Sequence, residues 1–375
     1  MKRLAAFLRF LAFLVVRARK PYIIGITGSV GKTTTTEMIA FVLKRCEGKG
    51  LVGQVCCTEN NMNDDLGLPA TLLLFSNLKE EYVPSRFITA CLAPFRALQI
   101  IGGLRPYPKI FVLEYGTSRL GHIARLAALA RPDIAIVTTI GAAHLERLKS
   151  LEGVAREKMA LVQAVPPTGL AILGTEHDFV PLLKQAAQSP VILVEGKGTE
   201  FAAKAARAIC RHLGIPDAII DEGLKAFKTP KGRMNIQEFQ DMSVIDDSYN
   251  ANPTSMKYGL DMLAGTAKPG ERRVAVLGFM AELGEQGPQY HKEIGTYARN
   301  RADLLIGFGD LARLYDADYW FENSESCAAE ISNLLRPHDR IFIKGSGSAR
   351  GRKIVERVLE MAQPSRADSV KETNG

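Results

Sequence analysis

The stretch Ile23–Leu43, IIGITGSVGKTTTTEMIAFVL, constrains this chain more than any other part of it. An apolar run ends in a glycine-rich turn, Gly25-Ile-Thr-Gly28-Ser-Val-Gly31-Lys32-Thr33, and an amphipathic segment follows at once. A strand that turns so tightly into a helix needs glycines where the backbone curls, and the helix then aims its first N–H groups back at the turn. That geometry suits a nucleotide phosphate. Gly28 and Gly31 let backbone amides approach phosphate oxygens, Ser29 and Thr34 add hydroxyls, Lys32 supplies charge, and the Thr33 hydroxyl can ligate Mg2+. Ile26 stands where strict phosphate-loop spacing puts its first glycine, which leaves this physics unchanged. The competing reading is a plain glycine turn with an incidental lysine; the strand before it and Gly-Lys-Thr within it argue against that.

Further apolar runs fall at KIFVLEYG (109–116), Ile134–Thr138, GLAILG (169–174) and VILVEG (191–196), with helical patterns between them. Strands alternating with helices predict an α/β fold, with a mostly parallel, covered sheet carrying the phosphate loop in a domain over 21–228. KTPKGRMN (228–235) holds Pro230 and Gly232 and reads as a hinge. Beyond it, strands at Met242–Asp246, Arg273–Gly278, Leu304–Phe308, Tyr319–Phe321 and Arg340–Lys344 predict a smaller Rossmann-like α/β domain over 229–363. Residues 364–375 read as a disordered tail. A chain of 375 residues is long enough for two such cores.

The formal charge of +8 points to anionic partners, yet the basic residues are spread along the chain without the aromatic interleaving of a nucleic-acid surface. No nucleic-acid partner is expected. The six cysteines form no Cys-x-x-Cys pair, which favours free thiols in a reducing cytoplasm. Residues 1–20, MKRLAAFLRFLAFLVVRARK, gather Lys2, Arg3, Arg9, Arg17 and Lys20 on one side of a helical wheel. Leu4, Phe7, Leu8, Leu11, Leu14 and Val15 gather on the other. The apolar run is too short to span a bilayer, which takes about 20 residues. Two readings stand level: a helix lying peripherally on the inner face of the cytoplasmic membrane, or one packed on the protein itself or on a partner.

Three residues past the loop narrow the chemistry. Glu114 closes a strand, where open α/β sheets place ligand-binding groups; His144 follows another strand; Lys158 lies on the helical stretch VAREKMALVQAV. Singly, each has a bland reading: a solvated strand end, a helix-capping or core histidine, a snorkelling lysine. An ordinary phosphate-loop ATPase has no need of this His and Lys, and together in this order they favour function.

The segments GITGSVGKTTTTEMIAFVL, NNMNDDLGLPATLL, VLEYGTSRLGHI, TTIGAAHLERLKSLEGVAREKMALV, KGRMN, DDSYNANPTSM, VLGFMAELGEQGPQYH and IKGSGSARGRKIVE run from about residue 21 to about 360. In that order they resemble the Mur ligase family, and within it the branch that adds D-alanyl-D-alanine. The resemblance implies an ATP-dependent amide ligase of peptidoglycan precursor synthesis. It would join D-Ala-D-Ala to the carboxylate of UDP-N-acetylmuramoyl-tripeptide through an acyl phosphate. It also implies two Mg2+ ions, one on Thr33 and Glu114 and one on His144 and Lys158, with Lys158 N-carboxylated as in related enzymes. Arg233 would reach the phosphates beside Lys32, and Asp247 and Asn250 the ribose or base, although YNANP also suits a tight turn. Asn61, Asn63, Asn252, His291, Lys344 and Ser346 would meet substrates.

Some positions depart from the family's pattern. About twenty residues precede the phosphate loop, in place of the family's separate UDP-gripping domain. That implies either relaxed UDP recognition or a lipid-linked or shortened acceptor. Phe279 replaces an Asp, Gly174 an Asn expected near adenine, and Asp64 a second Asn. Three readings therefore remain open: the D-Ala-D-Ala ligase, another amide ligase with a non-UDP or lipid-linked acceptor, and a non-catalytic ATP-binding scaffold at the membrane. DDSYNANPTSM argues against a folate-type ligase.

Overall fold

The computed structural model describes residues 2–59, 62–75 and 83–362, so the expected tail over 364–375 lies outside the described residues. The chain divides into two compact units, Met1–Lys228 and Thr229–Gly375.

In the first unit, six strands form one sheet: β1 (Tyr22–Thr27), β2 (Val55–Cys57), β3 (Ile110–Glu114), β4 (Ile134–Val137), β5 (Leu170–Gly174) and β6 (Val191–Val194). Their order is β2-β3-β1-β4-β5-β6, and every pair is parallel. From β1 the chain goes to the edge strand β2, returns to β3 between β2 and β1, and then crosses to β4 on the other side of β1. Ligands of open α/β sheets bind at the carboxyl ends of strands beside such a reversal. Here β1 runs straight into the phosphate loop.

The helices are α1 (Lys2–Arg19), α2 (Lys32–Gly48), α3 (Gly67–Leu72), α4 (Val83–Ile101), α5 (His122–Leu129), α6 (Leu145–Leu148) and α7 (Leu151–Ala164), then Val180–Ala186, Gly198–His212 and Asp217–Ala226. Residues of α1, α3, α4, α5 and α7 pack in one core with Phe111, Leu113 and Tyr115. Those of α2, Gly198–His212 and Asp217–Ala226 pack in another with Ile24, Ile26, Val112 and Ile172. The sheet is thus covered on both faces, which is why its strands read as continuous apolar runs. Two elements were not legible. The three-residue edge strand β2 has no pattern of its own, and α4 carries Pro94, which ordinarily breaks a helix interior.

The structure divides the apolar side of α1 differently from the helical wheel. Leu8, Leu11, Ala12 and Val15 are buried against α3, α4 and α5, so the helix is packed on the protein's own first unit. Each such fully buried Leu or Val is worth roughly 1.5–3 kcal/mol over exposure. Phe7 and Leu14, assigned to the same side, face outward with Phe10 and Phe13. A second apolar stripe continues on α4, where Phe95 and Leu98 are 68% and 67% exposed.

The second unit holds β7 (Asn235–Glu238), β8 (Met242–Asp247), β9 (Arg272–Gly278), β10 (Leu304–Phe308), β11 (Tyr319–Phe321) and β12 (Asp339–Lys344) in the order β11-β10-β9-β12-β8-β7. All pairs are parallel except β7 with β8. Strand β7 was also missed, because its alternation of half-exposed and exposed residues gives no core stripe. Helix Pro253–Thr266 crosses β12 so closely that a Cβ on Gly259 would sit 2.0 Å from Phe342 Cζ. The helix begins with a capping box: Asn252 Oδ1 accepts from Ser255 N at 2.9 Å and Ser255 Oγ accepts from Asn252 N at 3.1 Å. Such caps contribute about 1 kcal/mol.

Candidate active site

The phosphate loop is held open by its neighbours rather than by itself. Gly28 (φ 150°) lies so close to the end of β4 that a Cβ there would meet Thr138 Oγ1 at 1.8 Å, while Gly31 (φ 83°) has open space and a left-handed backbone. Thr138 Oγ1 donates to Val30 O at 2.5 Å, Ser29 N donates to Thr139 O at 2.8 Å, and Ser29 Oγ exchanges hydrogen bonds with Gly141 O and N at 2.9 and 3.0 Å. The loop after β4 therefore clasps the loop after β1, and Ser29 is one of the clasps. Of the four threonines, Thr35 and Thr36 turn into the interior with hydroxyls that have no hydrogen-bond partner, and Thr34 is buried with them.

Thr33 and Glu114 meet as expected: Thr33 Oγ1 donates to Glu114 Oε2 at 2.9 Å. Asn63 Nδ2 donates to the other oxygen, Oε1, at 2.8 Å, and the Glu114 backbone N donates to Thr58 Oγ1 at 3.0 Å. Asn63 thus serves the carboxylate, and Asn61 lies outside the described residues. Both lysines converge on one acceptor: Lys32 Nζ donates to Gly28 O at 3.0 Å and Lys158 Nζ to the same oxygen at 2.9 Å. Lys158 is 1% exposed. Burial, with the Lys32 charge beside it, holds its ammonium well below the ordinary lysine value, against the opposing pull of Glu157 and Glu114. His144 opens α6 with φ 57°. A left-handed backbone at a residue other than glycine is strain of the kind found at functional loops. Met234 and Glu282, in the KGRMN and MAELGE segments, share it with φ 51° and 62°.

A residue that was missed sits next to Lys158. Glu157, 3% exposed, accepts from Thr117 Oγ1 at 3.0 Å and from Gly121 N and Ile123 N at 2.6 Å each. It caps the positive end of α5 and fixes the loop that leaves Glu114. A signal existed. Val154, Glu157, Lys158, Leu161 and Val162 form one buried helical stripe, so two charged side chains occupy core positions.

Magnesium binds with few protein ligands and keeps waters and phosphate oxygens. Among the described residues, no three His, Cys, Asp or Glu side chains converge as a self-sufficient metal site. The Thr33–Glu114 pair fits Mg2+ brought with a nucleotide: one hydroxyl and one carboxylate, oriented by neutral donors.

In the second unit the motif residues are largely occupied with one another. Lys344, 2% exposed, gives its ammonium to Asp247 and to Asn250 O, and Asp247 Oδ1 also accepts from Met234 N at 3.1 Å. Burial raises the Asp247 carboxyl above its ordinary range against the pull of Lys344, and lowers the Lys344 ammonium against the pull of Asp247. Asp246, unremarked in the sequence, accepts from Gly232 N at 2.9 Å and from Ser248. It thereby ties the KGRMN loop to β8. The Arg233 guanidinium lies 3.7 Å from the Tyr249 ring centroid. His291 is fully buried: Nε2 accepts from Met280 N at 2.9 Å, Nδ1 faces Gly287 O at 2.7 Å, and the ring stacks on Tyr315. It braces the MAELGE loop. Asn250 Oδ1 accepts from Ala251 N at 2.8 Å, Asn252 is the helix cap, and Ser346 Oγ meets Ser348 Oγ at 3.0 Å.

The departures also have local causes. A Cβ on Gly174 would lie 2.0 Å from Thr138 O, so the chain there passes too close to β4 for an asparagine without movement. Asp64 Oδ1 accepts from Leu66 N and Gly67 N at 3.1 and 2.8 Å, capping α3. The Phe279 ring packs against Gly309 and the core of the second unit.

Comparison with known proteins extends this picture. The family profile for the Mur ligase middle domain matches residues 26–83 and 100–218, and that for the Mur ligase glutamate ligase domain matches residues 232–347. A UDP-N-acetylmuramoyl-tripeptide–D-alanyl-D-alanine ligase from Synechocystis sp. is 31% identical over 90% of this chain and 74% of its own length. Among solved structures, MurF from Acinetobacter baumannii has a TM-score of 0.75 at 25% identity, covering 94% of this chain and 80% of that one. MurF ligase from Thermotoga maritima, solved in complex with ADP, shares the fold with a TM-score of 0.76 at 24% identity, covering 95% and 83%.

Proposed function

The chain belongs to the Mur ligase family and is an ATP-dependent, ADP-forming amide ligase, and we propose that it joins D-Ala-D-Ala to the tripeptide carboxylate of UDP-N-acetylmuramoyl-tripeptide. The observation that carries this reading is the buried Lys158, whose ammonium shares the Gly28 carbonyl with Lys32. Nucleotide binding alone does not require a second lysine sealed beneath the loop, and its burial costs stability.

In this mechanism the loop amides and Lys32 hold the ATP phosphates. The tripeptide carboxylate attacks the γ-phosphorus; the bond to the β-phosphate oxygen breaks, ADP departs, and an acyl phosphate is left. The amine of D-Ala-D-Ala then attacks the acyl carbon, phosphate leaves, and the amine proton passes to solvent. Thr33 and Glu114 would hold one Mg2+ and His144 and Lys158 a second; bound magnesium screens the two anions that must meet. Lys158 fits its part because burial favours the neutral amine. A neutral amine adds CO2 and releases a proton, leaving a carbamate that attracts a cation where an ammonium would repel it.

The test is phosphate release from Mg-ATP with UDP-N-acetylmuramoyl-tripeptide, with and without D-Ala-D-Ala, and mass spectrometry of the product. Release that needs both substrates and a product enlarged by the dipeptide is the expected result. ATP binding without stimulated release would move the acceptor elsewhere.

We also propose peripheral contact with an anionic membrane through residues 1–20, extended to α4. No helix among the described residues is long and apolar enough to cross a membrane. The support is the outward stripe of Phe10, Phe13 and Leu14 on α1 with Phe95 and Leu98 on α4, bordered by the exposed Arg3, Arg17 and Lys20. Deleting residues 2–20 would also strip buried Leu8 and Leu11, so point variants test this better. Phe10→Ser with Phe13→Ser is expected to weaken binding to phosphatidylglycerol vesicles, read by co-sedimentation, about thirtyfold or more, each lost aromatic contact being worth about 1–2 kcal/mol. Unchanged sedimentation would sink the membrane contact.

A further inference from the structure

One carboxylate in the first unit is surrounded by more positive charge than it can neutralise. Asp65, just before α3, has Arg119 Nη2 at 2.6 Å, His122 Nε2 at 3.5 Å, Arg125 Nη1 at 3.6 Å and Arg9 Nη1 at 4.0 Å. Three guanidiniums face a single acid. The His122 side chain is 5% exposed, and neither of its ring nitrogens has a hydrogen-bond partner. A buried imidazole left in that condition is costly unless something completes its bonding. The three arginine side chains keep 36–50% of their surface exposed, so they can turn to a ligand without dismantling the core.

The cluster is fixed to the reaction site by short stretches of chain. Asn63, two residues before Asp65, donates to Glu114, and its carbonyl accepts from Gly116 N at 2.8 Å. Arg119 lies in the loop, and His122 opens the helix, that Glu157 holds through Thr117, Gly121 and Ile123. Guanidinium forks match paired phosphate oxygens better than any other side chain, and an imidazole adds one more donor. A network meant only to pin α1 and α5 would need one arginine for its one acid.

We infer that Arg9, Arg119, Arg125 and His122 form a subsite for the diphosphate of the acceptor, with Asp65 holding the arginines in place until the ligand arrives. This rests on the ligase reading above, in which the acceptor sugar carries a diphosphate, attached to either a uridine or a lipid.

The experiment compares three acceptors: UDP-N-acetylmuramoyl-tripeptide, the undecaprenyl-diphosphate-linked sugar tripeptide, and N-acetylmuramoyl-tripeptide with a free reducing end. The ratio of kcat/KM for a diphosphate acceptor over the diphosphate-free one is expected to fall about tenfold or more in Arg119→Gln/Arg125→Gln, as for lost charge-assisted hydrogen bonds. Which diphosphate acceptor shows the fall identifies the source; an unchanged ratio for both overturns the subsite. A calorimetric titration with pyrophosphate, the phosphate loop filled by ADP, stands apart from turnover. Wild type should bind, the double variant about tenfold more weakly, and Asp65→Asn more tightly than wild type, because the competing charge is gone. No binding by wild type, or equal binding by all three proteins, overturns the subsite. If wild type turns over none of the acceptors, the ligase reading fails while the pyrophosphate titration still decides the subsite.

Discussion

Lys158→Met loses ligation by about a thousandfold or more, the several kcal/mol that a positioned charge supplies to a transition state, while its Tm at neutral pH does not fall. The two halves of this expectation have one cause. The Lys158 ammonium is sealed against the Gly28 carbonyl beside Lys32, and folding lowers its pKa. A lysine whose pKa is depressed holds its proton less tightly in the folded state than in the unfolded one. Folding is therefore penalised below the ordinary lysine value of about 10.4, and the penalty grows as pH falls until the folded value is passed. Methionine fills the same space without a charge, so removing the lysine relieves that penalty and offsets the lost hydrogen bond. Ligation assays, ADP calorimetry and thermal melts on one preparation check it. Near-normal turnover would refute the catalytic assignment. Lost activity with a lower Tm and no ADP binding would show instead that the lysine merely props the loop.

Glu114→Ala shifts the magnesium requirement. The carboxylate is 3% exposed and is oriented by Thr33 on one oxygen and Asn63 on the other, both neutral donors. In the proposed site its removal would leave Thr33 as the remaining protein ligand of that ion. The Mg2+ concentration for half-maximal phosphate release is then expected to rise about ten- to hundredfold, with activity partly regained at high Mg2+. A magnesium titration of the variant checks this, and an unshifted curve would remove Glu114 from the metal site.

Much of the fold was legible because its signals are local. Strands β1, β3, β4 and β5 are buried on both faces, so each shows as an unbroken apolar run. The loop from Gly28 to Thr33 announces itself because its backbone geometry admits so few residue types. Strands β2 and β7 were silent: a short edge strand is defined by the neighbour it pairs with, not by a pattern of its own. Helix α4 was hidden by Pro94, whose local cost is outweighed by burial of Ala93, Ala97 and Ile100 in the core.

The candidate site divides along the same line. Lys32 with Thr33, Glu114 and Lys158 come together from three places in the chain, and their order in the sequence suggests a common task. Asn252, in contrast, belongs to a helix cap, and Lys344 is engaged by Asp247, 97 residues away. Residue type could not distinguish a substrate contact from a structural one in these cases.

The sequence by itself determined most of the alternation of strands and helices and the phosphate loop. These follow from backbone preferences and hydrophobic periods that act within a few residues. Only the tertiary structure decided that α1 packs by one face and leaves Phe10 and Phe13 outside, that Glu157 caps α5, and that Asp65 gathers three arginines. The reason is that a buried or half-buried polar group must find its partner wherever the fold brings one, and that choice is made between residues far apart in the chain.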